Sequence, residues 1–378
     1  MSNPHTFPAQ VYATRLRKAQ QLATAAGTPL VITPGPDLAY LTGIVSESFE
    51  RLTALVVTDS AFGLVVPRLE LAILNDSAVP GLGADGVELA VLDWVDGDDP
   101  YALVLELLAR RPELSRVVAV ADAVPALHLV PLLDRGLGVR LATDVLRRLR
   151  MVKDAAELDE LRAAGAAIDR VHARVPEILR VGRTEREVAD DIAAAIVEEG
   201  HTEAAFVIVG SGPHGADPHH EVSDRVIEAG DVVVVDIGGP LASGYNSDCT
   251  RTYALGEPAP EIVEQYAVLE RAQRASVDAV RPGVTAEAID AAGRDLLTAA
   301  GLGEFFLHRT GHGIGLSVHE EPYIVAGNDI PVEPGMAFSI EPGIYFRGRW
   351  GARIEDIVIV TEEGCEPVNT RSHGLTIL

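Results

Sequence analysis

Apolar and polar positions divide this chain into two regimes. Up to about residue 145, short apolar runs of strand length alternate with segments whose apolar positions recur at helical spacing. The run 30–33 (LVIT) reads as a buried strand, and 34–37 (PGPD) turns the chain into a helix at Leu38. Segments 52–58 (LTALVVT) and 62–67 (FGLVVP) read as a hairpin around Asp59 and Ser60. Segment 116–122 (RVVAVAD) reads as a further strand, followed by a helix from about Ala123. The acidic stretch 93–100 (DWVDGDDP) lacks the spacing and the terminal Glu of a calcium-binding EF-hand loop. Asp99 reads instead as a helix N-cap, with Pro100 at the first helical position. This half is α/β and carries no catalytic cluster.

Near residue 150 the pattern changes. Asp154-x-x-Glu157 is a capping box, and Leu158, Leu161, Ile168 and Val171 follow at helical spacing, so a long helix opens a second domain. The chain is therefore divided into residues 1–148 and 149–378. The second part repeats itself. Segment 182–200 (GRTEREVADDIAAAIVEEG) matches 283–301 (GVTAEAIDAAGRDLLTAAG), each with Thr as helix N-cap and a final Gly as C-cap. Farther on, Glu228-Ala229-Gly230 and Glu333-Pro334-Gly335 each precede an apolar run that ends in an acid, Asp236 in one and Glu341 in the other. Two such halves predict a pseudo-twofold domain with a site between them.

Composition narrows the class. A chain of 378 residues exceeds one ordinary hydrophobic core, which agrees with two domains. A formal charge of −25 repels phosphate backbones and anionic lipid, which argues against nucleic acid and membrane surfaces as partners. No run approaches the roughly 20 apolar residues of a membrane helix. The N-terminal segment MSNPHTFPAQVYATRLRKAQ lacks the apolar core of a secretory signal, so the expected location is the cytoplasm. Cys249 and Cys365 are too few for a disulfide framework and read as reduced thiols.

The chemistry-bearing residues concentrate in the second domain. Asp236 is read as ending the buried strand 232–235, and Asp248 as lying on the return strand of a hairpin. Strand periodicity puts Ser339 and Glu341 on one face, and Arg353 with Glu355 on one face while Asp356 points the other way. His308, His312 and His319 crowd into the Gly-rich segment HRTGHGIGLSVH. Taken singly, each acid reads as a surface or capping residue and His312 as a hydrogen-bonded core histidine. As a set placed on a repeat they read differently. Four carboxylates in one cleft would all have raised pKa values unless cations neutralised them. Asp236, Asp248, Glu341 and Glu355 sum to −4, which two divalent ions cancel, and with His312 the donor set suits Mn²⁺, Co²⁺ or Zn²⁺. Such ions lower the pKa of a bound water from about 15.7 towards about 7, which points to hydrolysis.

The segments IVGSGPHGADPHH, VVVDIGG, GYNSDCTRTY, HRTGHGIGLSVHE, FSIEPGIY and GARIED resemble, in order, the motifs of the aminopeptidase P/prolidase (Xaa-Pro peptidase) family. They span about residues 205–362. The helix RMVKDAAELDELRAAGAAID looks like that family's domain-joining helix, and residues 1–145 resemble its N-terminal domain more weakly. The resemblance implies an N-terminal creatinase-like α/β domain followed by a pita-bread catalytic domain, and two divalent ions, Mn²⁺ first among them. It implies metal ligands Asp236, Asp248, His312, Glu341 and Glu355, with Asp248 and Glu355 bridging and Glu341 doubling as the base. His219, His308 and His319 would line the substrate site, and Arg353 would brace Glu355. The implied substrates are small peptides with proline second, and the implied assembly is a homodimer.

Two departures from the family pattern stand out. Asp236 and Asp248 are one residue farther apart than is usual, which an extra residue in the GPLASG turn can absorb. Tyr323 stands where dipeptidase members often carry an Arg that holds the substrate's free carboxylate, so a strict dipeptide preference is not expected. Methionine-aminopeptidase-like activity is the alternative within the fold, but such enzymes usually lack the large N-terminal domain. A non-catalytic binding module is the alternative outside it, and the five intact ligands argue against that.

Overall fold

The apolar runs of the first half assemble into one six-stranded mixed sheet. In the computed structural model, which describes residues 7–46, 50–109 and 116–378, the chain forms two compact units, Met1–Arg150 and Met151–Leu378. Residues 1–6, where the first domain and the N-terminal segment begin, lie outside the described residues. The first unit's strands are β1 (Leu30–Ile32), β2 (Ala54–Val57), β3 (Phe62–Pro67), β4 (Leu89–Trp94), β5 (Val117–Val120) and β6 (Gly138–Leu141), in the order β4-β3-β2-β1-β5-β6. The expected hairpin is β2 and β3, and Val31, Val56, Val65 and Val118 pack one core beneath it with Leu107 and Leu132. Asp99 caps its helix, accepting from the Tyr101 and Ala102 N–H groups at 3.0 and 3.3 Å. The helix expected from Ala123 begins later, at Ala126, because Pro125 is held extended at the N-cap and starts the helix after itself.

In the second unit the capping box forms as written. Asp154 Oδ1 accepts from the Glu157 N–H at 3.0 Å and Glu157 Oε2 accepts from the Asp154 N–H at 2.9 Å, opening the helix Ala155–Ile178. Three further long helices follow, Glu185–Glu198, Pro260–Ala279 and Ala286–Ala299. The strands are β7 (Phe206–Ser211), β8 (Val232–Pro240), β9 (Asn246–Ala254), β10 (Gly311–Gly313), β11 (Glu320–Ile324), β12 (Ala337–Ile340), β13 (Gly343–Phe346), β14 (Trp350–Arg353), β15 (Asp356–Val360), β16 (Cys365–Pro367) and β17 (Thr376–Ile377). They form a β17-β9-β8-β7 sheet, a β11-β10-β12-β15-β16 sheet and the β13-β14 hairpin.

The repeat extends to individual hydrogen bonds. Gly182 N–H donates to Ile227 O and Gly283 N–H to Val332 O, at 2.9 and 2.8 Å. Glu185 N–H donates to Arg225 O and Ala286 N–H to Ile330 O, both at 3.0 Å. Gly230 and Gly335, just before β8 and β12, hold φ of 90° and 89°, a turn that a side chain would strain. Each half thus carries a capped helix into a strand with an acid, Asp236 within β8 in one and Glu341 directly after β12 in the other. The helices Ala155–Ile178 and Glu185–Glu198 bury Ile168, Val171, Val188 and Ile192 against Val233, Val235 and Ile237 of β8. No helix among the described residues is long and apolar enough to cross a membrane.

Candidate active site

Strand register places the acids. Cross-strand partners share a face of a sheet, and so do residues two apart. Gly238 opposes Asp248 and Asp236 opposes Thr250, so Asp236, Asp248 and Thr250 project from the same face of β8 and β9. The longer turn leaves that face intact. Asp236 does not end its strand as read from the sequence. β8 continues through Gly238 and Gly239, where a Cβ would meet Ser247 O and Glu203 O at 2.3 Å, so the glycines mark close approach of the backbone and not a stop.

The remaining donors come from the other sheet. Glu341 follows β12, and its carboxylate accepts from Ser339 Oγ at 3.1 Å. Glu355 sits where the chain leaves the β13-β14 hairpin for β15. Its N–H donates to Thr250 O at 3.2 Å, and its Oε2 accepts from Thr250 Oγ1 at 2.7 Å. His312 lies in β10 between two glycines, and neither position admits a side chain. A Cβ at Gly311 would lie 1.8 Å from Ser339 O, and one at Gly313 would lie 2.2 Å from Glu321 O. The imidazole Nε2 is 3.2 Å from Glu341 Oε1 and 3.6 Å from Asp248 Oδ2. All five expected ligands therefore converge. Asp236, Asp248 and Glu355 form one trio, His312, Glu341 and Glu355 a second, and Asp248, His312 and His319 a third, each with donor atoms within 4.8 Å of one another. Glu355, Asp248 and His312 are each common to two of these trios.

The electrostatics show an excess of negative charge. Burial, then the neighbouring acids Asp236 and Glu341, push the Asp248 carboxyl well above the usual range. Burial, then Asp248 and Glu341, do the same to Glu355. Burial opposes ionisation of Glu341 too, but the hydrogen bond and charge of His312 outweigh it and hold Glu341 low. Asp236 Oδ1 is buried without a hydrogen-bond partner, although Arg353 holds the other oxygen. One guanidinium cannot balance four clustered acids, and an orphaned carboxylate oxygen on a member of that cluster fits a cation. The residues present therefore fit a divalent pair.

Arg353 requires a correction. It does not brace Glu355 directly: Nη2 pairs with Asp236, Nη1 donates to Tyr345 Oη at 2.8 Å, and Nε donates to Thr250 Oγ1 at 3.1 Å. Thr250 is the link to Glu355. A face-parity argument within one strand could not see this, because the chain changes sheets between the two residues. Asp356 does point away, to Arg251 Nη2 at 2.7 Å and His373 Nε2 at 2.5 Å.

These groups line a cavity of about 670 Å³, whose wall also holds His219, His308, His319 and Arg309. His219 and His319 are exposed, and the His319 ring meets His312 edge-on at 4.1 Å. Partial desolvation of the ring in the cavity, then the charges of His312 and Arg309, bring the His319 pKa down to about 4. Both ring nitrogens of His308 are engaged, Nδ1 with Arg309 O at 2.7 Å and Nε2 with Tyr345 Oη at 2.8 Å, so it meets the cavity with its ring. Tyr323 departs from expectation. It opposes His312 across β10 and β11 and is not part of the cavity wall; the Arg309 guanidinium, which is, lies over its ring at 4.5 Å.

Reading the sequence missed Thr250, Tyr345 and Arg309, residues whose types carry no signal in their local patterns. It also missed a hub at Glu185. The fully buried Glu185 carboxylate accepts from Ser211 Oγ, Ser223 Oγ and His220 Nε2 at 2.6, 2.7 and 2.8 Å, and from His214 Nδ1 at 3.0 Å, tying down the loop that carries His219. In sequence Glu185 was one more acid in a helix's first turn.

Residues 159–362 match the model of metallopeptidase family M24, and residues 15–152 match the creatinase/prolidase N-terminal domain. The chain belongs to family M24. It shares 63% identity over 376 residues with a protein named probable dipeptidase PepE from Mycobacterium bovis, covering 98% of each chain. It shares 34% over 371 residues with an Xaa-Pro dipeptidase of Lactobacillus helveticus, covering 96% of this chain and 98% of that one. Among solved structures, dipeptidase PepE of Mycobacterium ulcerans superposes with a TM-score of 0.93 at 62% identity, covering 98% of this chain and 99% of that one. A prolidase of Thermococcus sibiricus superposes at 0.88 and 34%, covering 97% and 99%. The chain thus combines a creatinase-type N-terminal domain with the pita-bread domain of M24, and the protein is a metallo-exopeptidase of that family.

Proposed function

We propose that this M24 enzyme hydrolyses the bond between an N-terminal residue and proline in small peptides, as an Xaa-Pro dipeptidase. The observation that carries the reading is the convergence of Asp236, Asp248, His312, Glu341 and Glu355, excess negative charge included, on one cavity with His219 and His319 at its wall. The relatives named dipeptidase and Xaa-Pro dipeptidase support the substrate class. The five residues would hold two divalent ions, Mn²⁺ first, with Co²⁺ or Zn²⁺ as alternatives. Bound there, the ions would supply Lewis acidity towards the scissile carbonyl and make a water more acidic.

The chain's own groups do the rest. Glu341, kept ionised by His312, accepts the proton of the attacking water. His319, neutral at physiological pH, offers an N–H to the oxygen that becomes negative in the transition state. His219 orients the peptide. Arg353 holds Asp236 and, through Thr250, fixes Glu355.

His319→Ala is expected to keep its metals and to lose about 10²–10³ in kcat, the usual cost of one transition-state hydrogen bond. Metal analysis and kinetics on the same sample check this, and a variant stripped of metal would make His319 a ligand. The substrate class is tested with Ala-Pro, Met-Pro, Ala-Pro-Ala and Met-Ala-Ser in the presence of Mn²⁺. Cleavage of Ala-Pro but not Met-Ala-Ser is expected, and the reverse preference would point to the methionine-aminopeptidase-like alternative.

A further inference from the structure

Two arginines reach the cavity wall, and the centre uses only one of them. Arg353 is consumed by Asp236, Tyr345 and Thr250. Arg309 is not. Among the described residues no carboxylate is paired with its guanidinium, although four acids lie in the same cavity. What it contacts is the Tyr323 ring, 4.5 Å from the guanidinium carbon. Stacking on a ring fixes the plane of a guanidinium without consuming its N–H donors, so the fork stays open. A half-buried, oriented fork on the wall of an acid-rich cavity is a receptor for a planar anion that arrives with the substrate.

We propose that Arg309, held on the Tyr323 ring, is the substrate-carboxylate receptor of this site. The inference rests on the peptidase reading above. Two parts of a small peptide carry this chemistry: the free C-terminal carboxylate of a dipeptide, and an acidic side chain on the N-terminal residue. Either would form a charge-assisted pair with both edges of the fork. Arg309 sits next to His308 in sequence and its charge reaches His319, which itself packs on His312, so the receptor lies beside the reacting centre. Tyr323 stands where dipeptidase members of the family often carry an arginine. The tyrosine does not replace an arginine but supports one.

The test uses the full-length, Mn²⁺-loaded enzyme with four substrates, Ala-Pro, Ala-Pro amide, Asp-Pro and Asn-Pro, for wild type, Arg309→Gln and Arg309→Lys, with metal content measured on each. Wild type should prefer the acid over its neutral counterpart in at least one pair. Arg309→Gln should shrink that preference by about tenfold or more, chiefly through KM, with metal content kept and Arg309→Lys intermediate. Collapse of the Ala-Pro to Ala-Pro amide ratio assigns the C-terminal carboxylate, and collapse of the Asp-Pro to Asn-Pro ratio assigns the side chain. If both ratios stay within about twofold of wild type, the proposal is overturned. Should Arg309→Gln not fold, wild type alone decides: equal kcat/KM within both pairs would exclude a carboxylate receptor. A metal-loaded wild type that cleaves none of the four substrates would remove the peptidase reading itself, an outcome distinct from a flat ratio.

Discussion

Asp248→Ala is expected to abolish hydrolysis and metal binding together. Asp248 is buried, belongs to two of the three donor trios, and lies within reach of Asp236, Glu355, His312 and Glu341. If Asp248 serves both ions, as the family resemblance implies, removing it takes a donor from each, so kcat/KM should fall by at least about 10³, roughly 4 kcal/mol of transition-state stabilisation. Asp248→Asn sharpens the point. Because the folded-state pKa is raised, the metal-free wild type loses stability as pH rises from the unfolded pKa through the folded one. At neutral pH an uncharged Asn avoids that penalty. Metal-free Asp248→Asn should therefore melt no lower than metal-free wild type, yet gain nothing from added Mn²⁺, whereas wild type gains in proportion to ln(1 + [L]/Kd). Thermal scans with and without Mn²⁺, beside elemental analysis, check both halves. A variant still protected by Mn²⁺ would take Asp248 out of the centre.

The second large effect belongs to Glu341. Its carboxylate meets His312 Nε2 at 3.2 Å and is positioned by Ser339 Oγ at 3.1 Å. Glu341→Gln keeps the size of the side chain but can neither accept the water's proton nor contribute charge. Loss of a general base commonly costs about 10²–10⁴, and the lost donor adds to that. At saturating Mn²⁺, where the weakened site is refilled, kcat for Ala-Pro should still fall by about 10² or more. A kcat restored by metal alone would leave Glu341 a ligand and nothing else.

The fold was largely readable because local and tertiary signals agree in this chain. Thr184 and Thr285 begin capping motifs that form, and the repeated Glu-x-Gly turns carry positive φ at Gly230 and Gly335. The acids could be read because a carboxylate inside an apolar strand is rare without a partner. What failed was whatever depends on two elements meeting. The end of β8 is set too early by the apolar run, which stops before Asp236, and only the neighbouring Phe206 and Glu203 reveal Gly238 and Gly239 as a close approach within the strand. Face parity pairs Arg353 with Glu355, but the strand ends at Arg353, Glu355 lies in the link to the next strand, and Thr250 of β9 joins the two. Arg309 went unread because the ring that orients it, Tyr323, lies on the next strand, and no periodicity links them. Glu185 carries no sequence signal beyond that of an acid in a helix's first turn, and its role shows only where the loop folds back onto it.

The central claim is that four acids and one histidine form a dinuclear centre that this chain needs in order to cleave Xaa-Pro peptides. The most direct test measures metal content by elemental analysis on the same sample assayed with Ala-Pro, before chelation, after exhaustive chelation, and after return of Mn²⁺. The expected result is two divalent ions per chain, activity lost with them, and activity restored as the second equivalent of Mn²⁺ is added. Ala-Pro cleavage that survives in metal-free protein would contradict it.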